Sequence, residues 1–234
     1  MANPILDVQN LTKSFGERML FKDISFSIAE GQHVGLIAQN GKGKSTLLSI
    51  LTNEDSADSG SVIYRNDVKI GILCQTPAIQ PEQTVMEFCN EKSTTQEQHQ
   101  NAKQILTQLR ITDLSQPMGQ LSGGQQKRVA LASVLMNDPD FLILDEPTNF
   151  VDNRFEYEFY NMVRELSDRM AIVMVSHDLG TITSVVKSIV CVNKSVHRHD
   201  SNILTEEQLQ NYNCPIQIIS HGKVPHTVLC EHEH

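Results

Sequence analysis

Apolar side chains follow two patterns along the chain, and each pattern predicts a different kind of β-strand. Residues 5–30 predict paired, half-buried strands, since Ile24, Phe26 and Ile28 alternate with serines at the two-residue period of a strand. Continuous apolar runs of strand length instead predict strands that are buried on both faces. Three such runs occur later in the chain: His33–Ala38, Phe141–Leu144 and Ala171–Val175.

Helical segments separate these apolar runs. Lys44–Thr52 and Glu156–Leu166 have helical character, and strands that alternate with helices imply a parallel sheet covered on both faces. The segment from Gln75 to Gln120 is polar and glutamine-rich, with apolar residues at helical spacing. The pattern therefore predicts an α/β fold with a mixed β-sheet core, an antiparallel β subdomain and a small helical subdomain over residues 76–136.

The composition fits a water-soluble chain forming a single domain over residues 1–234, with a polar tail over residues 193–234. The apolar runs are far shorter than a membrane helix, and we expect no signal peptide. Nineteen lysines and arginines against 28 aspartates and glutamates give a net charge of −9, so we expect no direct binding of nucleic acid. Five cysteines without CxxC spacing argue against a disulfide framework and favour the cytoplasm.

A glycine-rich loop joins the first apolar run to the first predicted helix. Its sequence, AQNGKGKS, begins at Ala38 and has the strand–loop–helix context of a phosphate-binding loop, although that motif ordinarily begins with glycine. Gly41 and Gly43 let successive backbone N–H groups point at phosphate oxygens. Lys44 would contact the β- and γ-phosphates, and the Ser45 hydroxyl would be a ligand of Mg²⁺. The loop by itself predicts nucleotide binding and no particular reaction.

Two later motifs supply a second anion site and a pair of carboxylates. The segment LSGGQ, at Leu121–Gln125, opens a predicted helix, and a serine with two glycines at that position favours anion binding. The second apolar run ends in Asp145 and Glu146, which would hold Mg²⁺ and polarise the attacking water, respectively. A solvated strand end or a helix cap is the alternative interpretation, and the four apolar residues before the acids disfavour both. His177 follows the third apolar run. A single histidine after a strand is more often structural than catalytic, but its place after the next strand of the same predicted sheet strengthens the case for a catalytic role.

In this order, the motifs resemble those of the ATP-binding cassette (ABC) ATPases. The phosphate loop, Gln75, LSGGQ, the acidic pair and His177 follow one another as they do in that family. LSGGQ together with a phosphate loop is a highly specific combination, and the resemblance covers almost the whole chain. It implies the P-loop NTPase fold of ABC type and Mg²⁺-dependent hydrolysis of ATP.

The resemblance also implies a role for individual residues. Catalytic roles fall on Glu146, His177, Gln75 and Lys44, and the Mg²⁺ ligands would be Ser45, Gln75 and Asp145. Nucleotide contacts fall on Phe15, Asn40, Gly41, Lys42, Gly43, Lys44, Ser45 and Thr46, and on Ser122, Gly123, Gly124 and Gln125. Phe15 would stack on adenine, while a core position at a strand end is the alternative. Asp152 falls at the place of the family's D-loop aspartate.

The same resemblance implies a head-to-tail homodimer that encloses two ATP molecules. In such a dimer the LSGGQ segment of one subunit completes the nucleotide site of the other. The sequence itself favours this arrangement, because two separate anion sites on one chain are explained if each covers a ligand of the partner.

The two parts of the chain resemble different branches of the family. Residues 1–149 are similar to the first cassette of ABC-F proteins, soluble ATPases that act on ribosomes, in the segments LSGGQQKRVALA and LDEPTN. Residues 150–234 are similar to the ATPase subunit of zinc and manganese uptake transporters, in the segments AIVMVSHDLGTI and YNCPIQIISHGKVPHTVL. The apparent junction lies near residues 149–150, and a hybrid of this kind could be a nonfunctional cassette.

Three features favour a transporter subunit. ABC-F proteins carry two cassettes, and this chain has one phosphate loop and one LSGGQ segment. Only 45 residues separate Gln75 from Leu121, too few for the helical arm of ABC-F proteins. The acidic charge balance also disfavours ribosomal RNA. We therefore expect separate transmembrane permease subunits as partners and a position at the inner face of the cell membrane, with zinc or manganese as the transported ion.

The tail contains residues of the types that bind zinc. They are His197, His199, Cys214, His221, His226, Cys230, His232 and His234. Their spacing fits no standard zinc pattern, so a solvated surface is favoured over a regulatory metal site.

Overall fold

The computed structural model describes two compact units, one of Met1–Asn66 with Ala171–His234 and one of Asp67–Met170. The described residues are 4–38, 43–91, 95–148, 153–167, 169–176, 182–183, 185–201, 216–221 and 224–229. The phosphate-loop residues Asn40, Gly41 and Lys42 lie outside these ranges, as do Asp152 and His177.

The first unit begins with the antiparallel strands that the alternating pattern predicts. Strand β1 (Pro4–Phe15) pairs with β2 (Arg18–Ala29) on one side and with β4 (Ser59–Tyr64) on the other. Gly16 lies in the tight turn between β1 and β2, where its φ of 58° belongs to the left-handed region that glycine adopts without strain. The predicted antiparallel β subdomain is thus present, and its hairpin turn presents Phe15 at the surface.

A parallel sheet forms the rest of the first unit. Strand β3 (His33–Ala38) lies between β7 (Ala171–Val175) and β8 (Ser188–Asn193), parallel to both, and β9 (Ser195–His199) adds an antiparallel edge to β8. Every residue of β7 is buried, as its continuous apolar run predicts. Helix α1 (Lys44–Leu51) follows β3, and β10 (Ile216–His221) pairs with β11 (Val224–Leu229) in a separate antiparallel sheet.

The second unit contains two parallel strands and four helices among its described residues. Strand β5 (Ile70–Leu73) pairs with β6 (Phe141–Asp145). The helices are α2 (Val85–Asn90), α3 (Gln96–Gln108), α4 (Gly123–Leu135) and α5 (Asn153–Leu166), with a 3₁₀ turn at Met118–Gln120. Three of them, α2 to α4, begin with a complete capping box, in which side chains satisfy the first backbone N–H groups. The prediction of helices between Gln75 and Leu121 is confirmed.

Helix α4 approaches β5 closely at Gly71, which is buried. A Cβ atom at Gly71 would lie 2.6 Å from the Val134 Cγ1 atom and 3.2 Å from Pro139. A glycine is therefore needed in β5 for α4 and the segment after it to pack at this distance. The contact fixes α4 against the strand that leads to Gln75.

We expect Gly71→Ala to destabilise the protein by about 1–3 kcal/mol, because the added methyl group overlaps Val134 in a packed interior. Urea unfolding followed by circular dichroism measures the change. Ile70→Val is the matched control, since it alters a partly exposed side chain of the same strand and should change the free energy of unfolding by less than about 0.5 kcal/mol. Equal stability of Gly71→Ala and wild type would show that the approach of α4 is not limited at this contact.

Candidate nucleotide-binding and catalytic site

In the first unit, the predicted phosphate-binding residues lie at the start of helix α1. Gly43 is the N-cap residue, its φ is 94°, and it supplies no side-chain hydrogen bond to the helix. No acidic residue occupies the first turn, where Lys44 is half-buried and Ser45 is exposed. Because the first N–H groups of a helix carry partial positive charge, this uncapped end with its lysine suits an anion.

Gly43 also fixes where this helix begins relative to the β1–β2 hairpin. A Cβ atom there would lie 3.1 Å from the Leu20 Cβ atom and 3.3 Å from the Phe21 ring, so the backbone sits tightly on β2. Both the close contact and the left-handed backbone require glycine. The start of α1 is thereby held against the same hairpin that carries Phe15.

Phe15 is exposed, with 56% of the residue accessible to solvent. The Lys13 ammonium group lies 5.3 Å from its ring centroid, a cation–π arrangement that holds one side of the ring. The Lys13 ammonium group also forms a salt bridge with the Asp55 carboxylate, at 3.0 Å. Nearby, the Asp58 carboxylate accepts a hydrogen bond from the Ser14 hydroxyl. The alternative of a core phenylalanine is excluded, and the ring is available for stacking.

In the second unit, the parallel pairing of β5 and β6 brings Gln75 and the acidic pair to the same end of the two strands. Leu73 is the register partner of Leu144, so the residues that follow both strands leave the sheet at the same end. Gln75 is exposed there, Asp145 is half-buried, and only 4% of Glu146 is accessible. The glutamine and the two carboxylates therefore lie at the same end of this strand pair.

Glu146 has an uncommon backbone conformation. Its φ is 44°, in the left-handed region, which costs a residue with a side chain about 1 kcal/mol or more relative to glycine. A buried carboxylate with a left-handed backbone at the end of a buried strand is a feature of functional sites more than of cores.

The LSGGQ segment forms the start of helix α4 and caps it. The Ser122 hydroxyl accepts a hydrogen bond from the Gln125 backbone N–H at 3.3 Å, and the Gln125 side chain accepts one from the Ser122 N–H at 2.9 Å. Ser122 and Gly123 are exposed, and Gly124 is half-buried. The segment is thus a rigid helix start that presents its backbone at the surface.

Lys127, further along α4, is a site residue that the motifs do not reveal. Its ammonium group donates a hydrogen bond to the Gln75 backbone carbonyl. Burial lowers the pKa of this group, and the charges of Asp145, Cys74 and Glu146 oppose the shift. The sequence does carry a signal, because Lys127 shares a helical face with Ala130, Leu131 and Val134, at spacings that define the buried stripe of a helix.

The histidine-containing tail lies mostly outside the described side chains. His197 is within 3.0 Å of the Ser195 hydroxyl, and His199 is buried, which lowers its pKa, an effect that the neighbouring His197 reinforces. Among the described residues, no group of three or more histidine, cysteine, aspartate or glutamate side chains is arranged to hold a metal ion. Within those same residues, the helices are all too short or too polar to span a membrane.

Comparison of the chain with known proteins identifies its family. The family model described as ABC transporter matches residues 21–149. A metal transport system ATP-binding protein of Thermotoga maritima is 34% identical over 203 residues, which cover 83% of this chain and 84% of that protein. The zinc import ATP-binding protein ZnuC of Histophilus somni is 34% identical over 198 residues, which cover 82% and 74% of the two chains.

Solved structures agree in fold. A metal-chelate type ABC transporter in an inward-facing conformation superposes with a TM-score of 0.83, at 23% identity and 98% coverage of both chains. A dimeric ATP-binding cassette bound to ADP and phosphate has a TM-score of 0.72, at 26% identity, with 86% of this chain and 100% of that chain covered. The predicted fold class and the resemblance to ABC ATPases are confirmed, and the chain belongs to the ABC transporter family.

Proposed function

We propose that this chain is the ATP-hydrolysing subunit of a transporter that moves a divalent metal ion, zinc or manganese, through a separate membrane permease. The observation that carries the proposal is the exposed glutamine at the same strand end as the half-buried Asp145 and the buried Glu146. The relatives named as zinc import and metal transport ATP-binding proteins support the choice of ion.

The described part of the nucleotide site has the chemistry that ATP requires. Phe15 would stack on adenine, and the start of α1 with Gly43, Lys44, Ser45 and Thr46 would bind the phosphates. Asn40, Gly41 and Lys42 would complete the phosphate loop, and His177 would contact the γ-phosphate.

The oxygen ligands fit Mg²⁺, which is commonly held by one or two carboxylates together with substrate phosphates. Ser45, Gln75 and Asp145 would hold the ion, which when bound neutralises charge on the phosphates. Glu146 would accept the proton of the attacking water, and its burial keeps the carboxylate at a fixed position. Lys44 would offset the charge that develops on the γ-phosphate.

A head-to-tail homodimer follows from the two separate helix starts. The α1 start has no side-chain cap, whereas Ser122 and Gln125 cap α4 and leave the Gly123 and Gly124 backbone at the surface. We propose that Ser122 to Gln125 of one subunit contact the ATP held by the phosphate loop of the other. The dimeric cassette with bound ADP and phosphate supports this assembly.

The permease would contact the helical subdomain, residues 76–136, within a single nucleotide-binding domain of residues 1–234. Such contacts would hold the protein at the inner face of the cell membrane, and Gln75 would couple the γ-phosphate to the permease. Closure and reopening of the dimer would drive the permease between its conformations.

We expect Phe15→Ala to weaken ATP binding about 5- to 150-fold, since stacking of an aromatic side chain on a base contributes about 1–3 kcal/mol. Because Phe15 is exposed, the free energy of unfolding should change by less than about 0.5 kcal/mol. Fluorescent ATP-analogue titration gives the affinity. Met19→Ala is the control, because Met19 is an exposed apolar residue of the same hairpin; equal weakening by both variants would remove the stacking role.

We expect Glu146→Gln to bind ATP with near wild-type affinity and to lose at least about 100-fold in turnover, as removal of a general base typically does. Steady-state phosphate release measures turnover. Wild-type activity should rise with protein concentration if the dimer is the active form. Wild-type turnover in Glu146→Gln would show that another group activates the water.

The permease is tested by affinity purification of tagged Glu146→Gln protein from detergent-solubilised cells with ATP present. We expect a multi-span membrane protein in the eluate, after which metal uptake is the decisive assay. Ribosomal subunits in its place would contradict the transporter proposal and support the ABC-F alternative suggested by residues 1–149.

A further inference from the structure

Lys127 is a charged residue in the apolar face of helix α4. Only 7% of the residue is accessible, and Val129, Ala130 and Leu131 beside it are buried as well. Removing an ammonium group from water is unfavourable unless hydrogen bonds and opposite charges compensate. A methionine would fill much the same volume without that cost, so packing alone does not explain a lysine here.

The groups that offset the cost of burying this charge all lie at the carboxyl ends of β5 and β6. The ammonium group donates to the Gln75 carbonyl, and the two carboxylates of Asp145 and Glu146 attract its charge. Lys127 is thus joined to the backbone of the predicted γ-phosphate sensor and lies within the field of the predicted general base.

We propose that Lys127 is a positioning residue for ATP hydrolysis, an inference that rests on the proposed function. Its hydrogen bond to the carbonyl sets where the Gln75 side chain leaves the backbone. Its charge reduces the mutual repulsion of Asp145 and Glu146, which are adjacent in the chain, the first half-buried and the second buried. Because Lys127 lies on the helix that begins with LSGGQ, it also ties the segment that would serve the partner's nucleotide to the catalytic groups of its own subunit.

The proposed role predicts that replacing Lys127 affects turnover and the stability of the fold differently. Replacement of a buried charge by an apolar residue of similar volume is often neutral or stabilising for the fold. A residue that only supports the fold would therefore tolerate methionine in both respects, whereas a positioning residue would lose turnover while the protein stays folded.

The experiment compares Lys127→Met and Lys127→Arg with wild type. We expect Lys127→Met to lower kcat at least about tenfold while the KM for ATP changes less than about threefold. Lys127→Arg keeps the charge and the donor, and it should restore kcat to within about threefold of wild type. Lys103→Met is the matched control, because it removes one exposed positive charge from the same unit and should leave kcat unchanged.

A second measurement distinguishes positioning from support of the helix. In the Glu146→Gln background, ATP-driven dimerisation of the Lys127→Met variant should match that of Glu146→Gln alone, as followed by size-exclusion chromatography. Wild-type kcat in Lys127→Met, no recovery in Lys127→Arg, or a loss of dimerisation that parallels the loss of kcat would each overturn the proposal. Absence of ATP hydrolysis by the wild-type protein itself would instead overturn the proposed function, and this inference with it.

Discussion

The close packing of helix α4 on strand β5 is the constraint on which the arrangement of the second unit depends. Gly71 leaves room for Val134, and without that room α4 would have to move away from the strand. The same helix carries Lys127, whose hydrogen bond to the Gln75 carbonyl forms just beyond the end of β5. Gly71 lies in β5 and Gln75 lies just after it, so the contact with Val134 and the hydrogen bond from Lys127 together fix the helix to the residues that would sense the γ-phosphate.

The two helix starts that are proposed to contact nucleotide differ in how their first backbone N–H groups are satisfied. At α1 the helix start is left without a side-chain cap, so its N–H groups are suited to an incoming anion. At α4 the Ser122–Gln125 capping box holds the helix start rigid before any ligand arrives. In the proposed function, the uncapped start of α1 would bind the phosphates, and the capped start of α4 would offer a preformed surface to the nucleotide of the partner subunit.

Much of this architecture could be predicted from sequence because strong local signals specify it. The apolar runs at β3, β6 and β7 are buried strands, and the phosphate loop precedes a helix as its motif requires. Strand β9 was not predicted, because its polar residues lie at an edge where only pairing with β8 makes them a strand. Helical spacing places Lys127 on the buried face of α4, but its partners could not be predicted, because Gln75 and Asp145 are brought near it only by the fold.

The left-handed backbone of Glu146 has an evolutionary consequence. Asparagine or glycine would adopt this φ with less strain, and a polar or absent side chain would also avoid enclosing a carboxylate among apolar strand ends. A duplicated or recombined copy of the gene that no longer needed to hydrolyse ATP would thus drift away from glutamate at position 146 under selection for folding alone. Retention of glutamate there, across descendants of this gene, would be a record of continuing selection for catalysis.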